Sequence, residues 1–387
     1  MISLYVHIPF CASRCPYCDF ATAPATSPLR ARYLAAVRAE IEREGAALGH
    51  PRIGTAFFGG GTPSLLEPDE IAALALTIRS SFDFAPDEVT FEANPATLDR
   101  ARLEAWCALG ATRISLGAQS FSARALTALG RTHRPEDIAP AVAAARSVGL
   151  AVNLDLIFGR PGETEAEWRA DLDAAIALAP EHLSAYPLEL ELDPSHEWEA
   201  VTNWPGGGWP TLERWRSNAT AARPDDDAVA DRYALTGTVL EAAGYVHYEI
   251  ANWARPGQEC HHNLVYWRNG EWLGVGGGAH SHLSGVRSRQ PAGLLAYIAR
   301  IEGGEGRIPD PGADPAVDTA ILALRLSEGL DLDAYALRFG PTARARVDAA
   351  LAPLDGTGML ERRGPNVALS ERARFVASEV FVRLMPD

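Results

Sequence analysis

The sequence predicts an α/β protein: a run of strand–helix repeats, then a small module of helices and one hairpin. Three observations carry this. Short apolar runs alternate with alanine-rich stretches of helical period through the first half of the chain. The repeats recur roughly every 30 residues. After residue 192 the pattern gives way to loop-like and then helical sequence. Repeats of this kind suit an incomplete βα barrel or an open doubly wound sheet, and periodicity leaves that choice open.

The expected strands are 2–7 (ISLYVH), 53–58 (IGTAFF), 87–92 (DEVTFE), 113–117 (RISLG), 151–157 (AVNLDLI) and 182–187 (HLSAYP). Helical period marks 28–48, 67–80, 98–108, 134–148 and 163–179 between them. Start signals support two of these helices: Ser64 and Glu67 ahead of the second, Thr164 with Glu167 ahead of the fifth. Such alternation makes βαβ crossovers and a parallel sheet. Residues 193–227, with TNWPGGGWP and RPDDD, read as a loop or insertion. A helix over 228–243 and a strand over 245–250 follow, then a Gly-, His- and Trp-rich stretch, 251–290, of little regular period. Helices over 315–327, 331–338 and 342–355, a hairpin over 358–369 and a last helix over 370–384 read as a winged-helix-like module.

The chain has 387 residues, 47% of them hydrophobic, and a formal net charge of −15 from 35 basic and 50 acidic side chains. It contains no Lys, which removes chemistry that needs an ε-amino group: a Walker A lysine, a pyridoxal phosphate Schiff base or a kinase lysine. The acidic balance argues against nucleic acid or an anionic bilayer as the main partner, and favours packing over DNA binding for the C-terminal module. No apolar run approaches the ~20 residues of a membrane span. MISLYVHIPF carries no basic n-region or cleavable apolar segment, so a cytoplasmic protein is expected.

Five cysteines are too few, and an odd number, for a disulfide scaffold. Cys11, Cys15 and Cys18 cluster directly after the first strand, while Cys107 and Cys260 stand alone. Three thiolates can hold three corners of a [4Fe–4S] cube and leave one iron open to an external amine and carboxylate. Structural zinc is the plainer reading, but it wants four closed ligands, with His7 as the available fourth. Gly59, Gly60, Gly61 and Thr62 close the second strand. Glu92, Gln119 and Asp155 each fall at the end of another, on the face where parallel βα folds build ligand sites. Taken singly, each would be a glycine turn or an ordinary strand cap.

The segments LYVHIPFCASRCPYCDF, FFGGGTPSLL, FEANP, RISLGAQSF, LGRTH and NLDLIFGRPGET together resemble the HemN/HemW group of the radical SAM superfamily. The likeness runs to about residue 290 and is weaker beyond. It implies a partial (β/α)6 TIM-like barrel over 1–192, a region 193–310 holding an insertion and an HNxxYW segment, and the helical, winged-helix-like module over 311–387. It also implies that Cys11, Cys15 and Cys18 hold a [4Fe–4S] cluster. By the same resemblance, Tyr5, Tyr17, Gly60, Gly61, Thr62, Glu92, Gln119, Arg131 and Asp155 bind S-adenosyl-L-methionine (SAM).

Residues 262–267 (HNLVYW) are similar to the HNxxYW motif of the haem-chaperone branch. The resemblance implies that His262 binds haem, for which a neutral imidazole is a usual axial ligand. A buried structural His among aromatics is the alternative, and Cys260 and His261 are neighbouring competitors. GVGGGAHS at 274–281 resembles another stretch of the group, with His280 near the pocket; Arg287 and Arg289 are candidates for pairing with propionates.

Two functions compete within the group. A haem chaperone binds haem and delivers it to haem-requiring proteins such as respiratory enzymes. An oxygen-independent coproporphyrinogen III dehydrogenase uses a SAM-derived radical to make protoporphyrinogen IX by oxidative decarboxylation. The dehydrogenases resemble CxxxCxxCxC, where this chain has Phe20, and they extend well ahead of their first strand, where this chain has only Met1. With the HNxxYW segment, these features point to the chaperone; the intact SAM positions leave open whether SAM is cleaved.

Overall fold

The structure, a computed structural model, describes residues 1–190, 215, 217–219, 222–312 and 314–385. The expected loop over 193–227 lies mostly outside the described residues. All six expected strands form: β1 (Ile2–Ile8), β2 (Arg52–Gly60), β3 (Asp83–Ala93), β4 (Arg113–Gln119), β5 (Ala151–Phe158) and β6 (His182–Pro187). They lie side by side in chain order, each parallel to the next. That order decides between the two architectures. A doubly wound sheet reverses its strand order at a switch point. Here every crossover steps the same way, so right-handed connections set the helices on one face, and strand twist curls the sheet into a partial (β/α)6 barrel.

The helices are α1 (Arg30–Ala47), α2 (Pro68–Ser81), α3 (Arg100–Leu109), α4 (Ala123–Ala128), α5 (Pro135–Ser147) and α6 (Glu165–Ala177). α4 is too short to show a period in the sequence. At the start of α6, Thr164 and Glu167 cap one another: the Glu167 amide donates to Thr164 Oγ1 (3.2 Å) and the Thr164 amide to the Glu167 carboxylate (2.9 Å). At α2 the cap is Glu67, whose amide donates to Glu70 at 2.9 Å. Ser64 is not part of it; its hydroxyl meets that of Thr97 at 2.5 Å.

Alternation along the strands sorts the side chains onto two faces. Leu4, Val6 and Ile8 of β1, Phe58, Phe91 and Leu154 are wholly buried in the core that the helices cover, and Phe91 stacks on Trp106 of α3 at 4.6 Å. Each such side chain removed from water contributes about 1.5–3 kcal/mol. The opposite face carries Tyr5, Thr90, Glu92, Arg113, Asn153 and Asp155. Barrel interiors are ordinarily filled with branched apolar side chains, so a polar interior marks a site and not a packed core.

The GRPGET segment explains itself structurally. Arg160 Nε donates to Glu163 (2.6 Å) and Nη2 to Asp171 (2.7 Å), all three buried. Asp171 also accepts from the Ser120 hydroxyl (2.8 Å) and the Phe121 amide (2.7 Å). One ionic cluster thereby ties the ends of β4 and β5 to α6.

After residue 222 comes α7 (Asp226–Ala242). The strand expected over 245–250 forms as β7 (Val246–Glu249), and the 251–290 stretch, periodless in the sequence, supplies further edge strands. β7 and β8 (Asn252–Ala254) run antiparallel beyond β6. After α8 (His261–Trp267), β9 (Trp272–Val275) pairs parallel with β1. β10 (His280–Leu283), β11 (Val286–Arg289) and β12 (Ile308–Pro309) extend that edge. Strands of two to four residues are too short to display alternation. The glycine loop between β9 and β10 is held by a buried carboxylate. Glu40 accepts from the Gly276 amide (2.9 Å), the Tyr297 hydroxyl (2.7 Å) and Gln290 Nε2 (2.5 Å).

The C-terminal module packs helices Pro315–Arg325, Leu332–Phe339 and Pro341–Leu351 on a small antiparallel sheet of 330–331, 366–369 and 360–363. It has its own core, including Leu324, Leu351 and Val367. The expected last helix is interrupted: Glu371–Arg374 and Ser378–Phe381 are separate turns. Ala373, Ala377, Val380 and Leu384 keep the buried stripe the period promised. The break falls where Phe375 packs on Tyr233 of α7 at 5.3 Å. No helix among the described residues is long and apolar enough to cross a membrane.

Candidate functional site

A cavity of about 720 Å³ fills the concave side of the sheet. Cys11, Cys15 and Cys18 line one end, and all nine expected SAM residues line its walls. At the other end it meets Cys260, just ahead of α8, and Asn263, Tyr266 and Trp267 on that helix. His262 does not line it.

The cysteine loop leaves β1 through a short pairing of Phe10–Cys11 with Ala23–Pro24 and turns back where the Cys18 amide donates to the Cys15 carbonyl (3.1 Å). Its sulfurs meet donors from other elements. Thr62 Oγ1 lies 3.4 Å from Cys11 Sγ, and Arg131 Nη1 lies 3.5 Å from Cys15 Sγ. The LGRTH segment thus has a physical role: Arg131 Nη2 is anchored on the Gly117 carbonyl (2.9 Å), and Gly130 takes a φ of 66° against Pro16. A Cβ on Gly130 would stand 2.6 Å from Pro16 Cδ, so only glycine lets the two loops meet. Burial pushes the Cys11 thiol up to about 11 and that of Cys18 up to about 12. Iron in place of the proton would therefore drive thiolate formation, helped by the hydrogen-bond donors to sulfur. Among the described residues no three His, Cys, Asp or Glu side chains converge on a single-ion site.

His7 is not a fourth ligand. It is buried, with Nδ1 on the Tyr5 hydroxyl (3.0 Å) and Nε2 on the Ala21 carbonyl (2.7 Å). Its ring also explains Gly60, whose φ is 108° and where a Cβ would fall 2.3 Å from His7 Cε1. That glycine is required by packing as much as by any ligand.

Glu92 Oε2 accepts from the Gly60 amide at 2.8 Å, joining β2 to β3 across the cavity wall. Burial, then the charge of Asp155, lifts Glu92 to about 8. Asp155 is raised by burial too, against bonds from Ser115 (3.0 Å) and Asn153 (2.7 Å). Neither carboxylate forms an ion pair among the described residues. A ligand bringing a sulfonium, an ammonium and ribose hydroxyls would supply what this wall lacks, so the residues fit SAM. Gln119, at the end of β4, has a φ of 64° beside a register shift. Such backbone in a non-glycine residue is uncommon and concentrates at sites; no sequence signal announces it.

α8 is held by Glu88 at the base of β3. Its carboxylate accepts the amides of His262 (2.9 Å) and His261 (3.1 Å), and Cys260 Sγ lies 3.4 Å away. Burial raises the Cys260 thiol, so Cys260 stays protonated. His262 is wholly buried, with Nδ1 2.8 Å from Thr55 Oγ1 and Nε2 2.8 Å from the Tyr266 hydroxyl. As folded here, neither ring nitrogen is open to iron. His261 is exposed. His280 and Arg287 lie away from the cavity; Arg287 is committed to Asp318 (2.5 Å) and Asn269 (2.7 Å).

Sequence reasoning overlooked Arg113, Asn153, His182, Glu249, Asn252 and Arg325, all of which line the cavity. Alternation along β4 and β5 could have found the first two; Arg325 belongs to the C-terminal module and carried no signal.

Known proteins match this arrangement. The family model of the radical SAM superfamily covers residues 5–175 and that of the HemN C-terminal domain residues 311–376. The solved structure of coproporphyrinogen III oxidase (HemN) from Escherichia coli superposes with a TM-score of 0.82 over 99% of this chain and 89% of that one, at 23% identity. Fold and site define a radical SAM protein of the HemN architecture. Among curated relatives, heme chaperone HemW of Mycobacterium tuberculosis is 39% identical over 99% of this chain and 94% of its own length. HemW of Escherichia coli is 36% identical over 76% and 75%. The mitochondrial radical S-adenosyl methionine domain-containing protein 1 of Danio rerio is 31% identical over 88% and 76%. The chain belongs to the HemW family of haem chaperones.

Proposed function

We propose that this chain takes up haem and delivers it to haem-requiring proteins, respiratory enzymes among them, in the cytoplasm. Cys11, Cys15 and Cys18 hold a [4Fe–4S] cluster; Tyr5, Tyr17, Gly60, Gly61, Thr62, Glu92, Gln119, Arg131 and Asp155 hold SAM; α8 faces the haem. When bound, cluster and SAM supply one-electron chemistry. Arg131 and Thr62 donate towards sulfur, while Glu92 and Asp155 offer acceptors to a cationic ligand. The observation that carries the reading is one cavity continuous from the three cysteines to the HNxxYW helix, in a member of the HemW family. His262 serves as axial ligand on condition that Tyr266 releases Nε2. Phe20, 60% exposed at the cavity, occupies the position of the further cysteine expected of a dehydrogenase.

The test is an anaerobic haem titration by absorbance on cluster-reconstituted protein. A stoichiometric Soret band in wild type, displaced in His262→Ala, is expected. Cys11→Ala, Cys15→Ala and Cys18→Ala should each lose the cluster's iron, while Cys107→Ala should keep it. If wild type binds no haem but converts coproporphyrinogen III, the dehydrogenase reading replaces this one.

A further inference from the structure

We infer that the end of the cavity opposite the cysteines is a carboxylate-binding subsite built by Arg113 and Arg325, and that its occupant in the loaded protein is a haem propionate. The second half rests on the chaperone reading; the first does not.

Arg113 rises from the first position of β4 into the cavity, with its side chain 7% exposed. Nη2 is used locally, donating to the carbonyls of Gln258 (3.0 Å) and Glu259 (3.3 Å) and lying 3.4 Å from Glu88. Nε and Nη1 are buried without an acceptor. Arg325 comes from the C-terminal module, and its guanidinium lies over the Trp267 ring at 4.3 Å. Its Nη2 is 3.6 Å from Glu249, and its Nε is buried without a partner. The Trp267 indole N–H has none either. Four buried donors on three residues of one cavity therefore lack acceptors, where folded proteins leave very few such groups unpaired.

The local carboxylates do not fill this need. Both oxygens of Glu88 accept amides of α8. Glu249 Oε1 accepts from the Ala251 amide (2.8 Å) and Asn252 Nδ2 (2.5 Å). Glu249 Oε2 accepts no hydrogen bond and stands 3.6 Å from Arg325 Nη2 as its counter-charge; Asn252 Oδ1 and the Thr90 hydroxyl are unpartnered, and bridging water can serve all three. The donors are in excess, and they include two guanidiniums, which is the arrangement a carboxylate satisfies. His182 adds no charge: burial keeps it neutral, with its nitrogens on Asn153 (2.7 Å) and the Tyr248 hydroxyl (2.8 Å). Tyr5, Phe57, Tyr266 and Trp267 line the approach, giving apolar faces to a flat ring whose acidic arm reaches the arginines.

Two titrations on the full chain separate the subsite from its occupant. The first follows thermal stabilisation by naphthalene-2-carboxylate against its carboxamide. The carboxylate should stabilise wild type and the amide should not, and Arg325→Gln should abolish the difference. Equal effects of acid and amide on wild type, or a preference untouched in Arg325→Gln, overturn the subsite. The second compares haem with its dimethyl ester. Wild type should prefer the free acid by ~10–100-fold, as a charge-assisted hydrogen bond provides, falling below about 3-fold in Arg325→Gln. Equal binding of acid and ester rejects the propionate while leaving haem binding intact. Failure of both haems to bind, with the naphthoate preference retained, defeats the chaperone reading and the propionate but not the subsite. Arg113→Gln is a supporting variant only, because Arg113 also braces residues 258–259.

Discussion

The Tyr266 hydroxyl stands 2.8 Å from Nε2 of His262 and gives its proton to that nitrogen. The direction follows from the other side of the ring. Thr55 donates to Ser3 Oγ at 2.7 Å, so its oxygen accepts from Nδ1–H at 2.8 Å. Burial drives His262 down to about 3, so the ring is neutral and its single lone pair is spent on Tyr266. The atom that would ligate iron is masked by the next aromatic of the same motif.

Tyr266→Phe should unmask it. A net hydrogen bond of about 0.5–1.5 kcal/mol no longer competes with the metal, so haem should bind roughly 2- to 10-fold tighter with an unmoved Soret band. Unchanged affinity in a titration of this variant would remove His262 from the iron.

Glu92 should give the ligand-free protein a pH dependence. Its folded value, about 8, lies above the usual 4.5. The folded state thus keeps a proton that the unfolded chain has lost, and stability falls as pH rises from about 4.5 through about 8. Glu92→Gln removes that slope. Melting curves should show the variant more stable than wild type at pH 8.5 and equal to it at pH 4.5; parallel curves would place the titration elsewhere.

Glu88→Gln should loosen α8. The two carboxylate oxygens accept separate amides, and an amide side chain must turn its NH2 towards one of those donors. With Arg113 also losing its counter-charge, a cost of about 2–4 kcal/mol is expected. It should appear as a lower urea midpoint and as faster hydrogen exchange of the His261 and His262 amides.

Gly130→Ala should act on the cysteines from a distance. The new methyl meets Pro16 in a backbone conformation alanine resists, at a cost of about 1–2 kcal/mol or more. The expected result is lower iron content after reconstitution with Cys11, Cys15 and Cys18 all present. Full iron loading would mean that the two loops separate without consequence.

Much of the architecture was legible before any coordinates. Each of β1 to β6 appears where a short apolar run placed it, because the strand face packed beneath the helices carries Val, Ile, Leu and Phe at alternate positions. The cysteine loop and the polar strand ends were legible as motifs, and they do meet in one cavity. β7 was legible too, within the strand expected over 245–250; β8 to β12 were not, since strands of two to four residues take their pairing from neighbours and not from their own pattern. Arg287 shows the same limit: the sequence offers it as a partner for propionates, yet the fold sets it away from the cavity with Asp318 against it.

What the sequence determined by itself was periodicity and local chemistry: six βα units, three thiols at ligand spacing, acidic side chains ending the strands, an HNxxYW segment. Tertiary structure alone decided that the strands would run in chain order and curl, and that Arg325 from the C-terminal module would line the same cavity as Arg113. It also decided that His262 would be turned inward onto Thr55 and Tyr266. Thr55 and His262 stand 207 positions apart in the chain. Such relations depend on which surfaces are buried together, and local sequence carries no record of that.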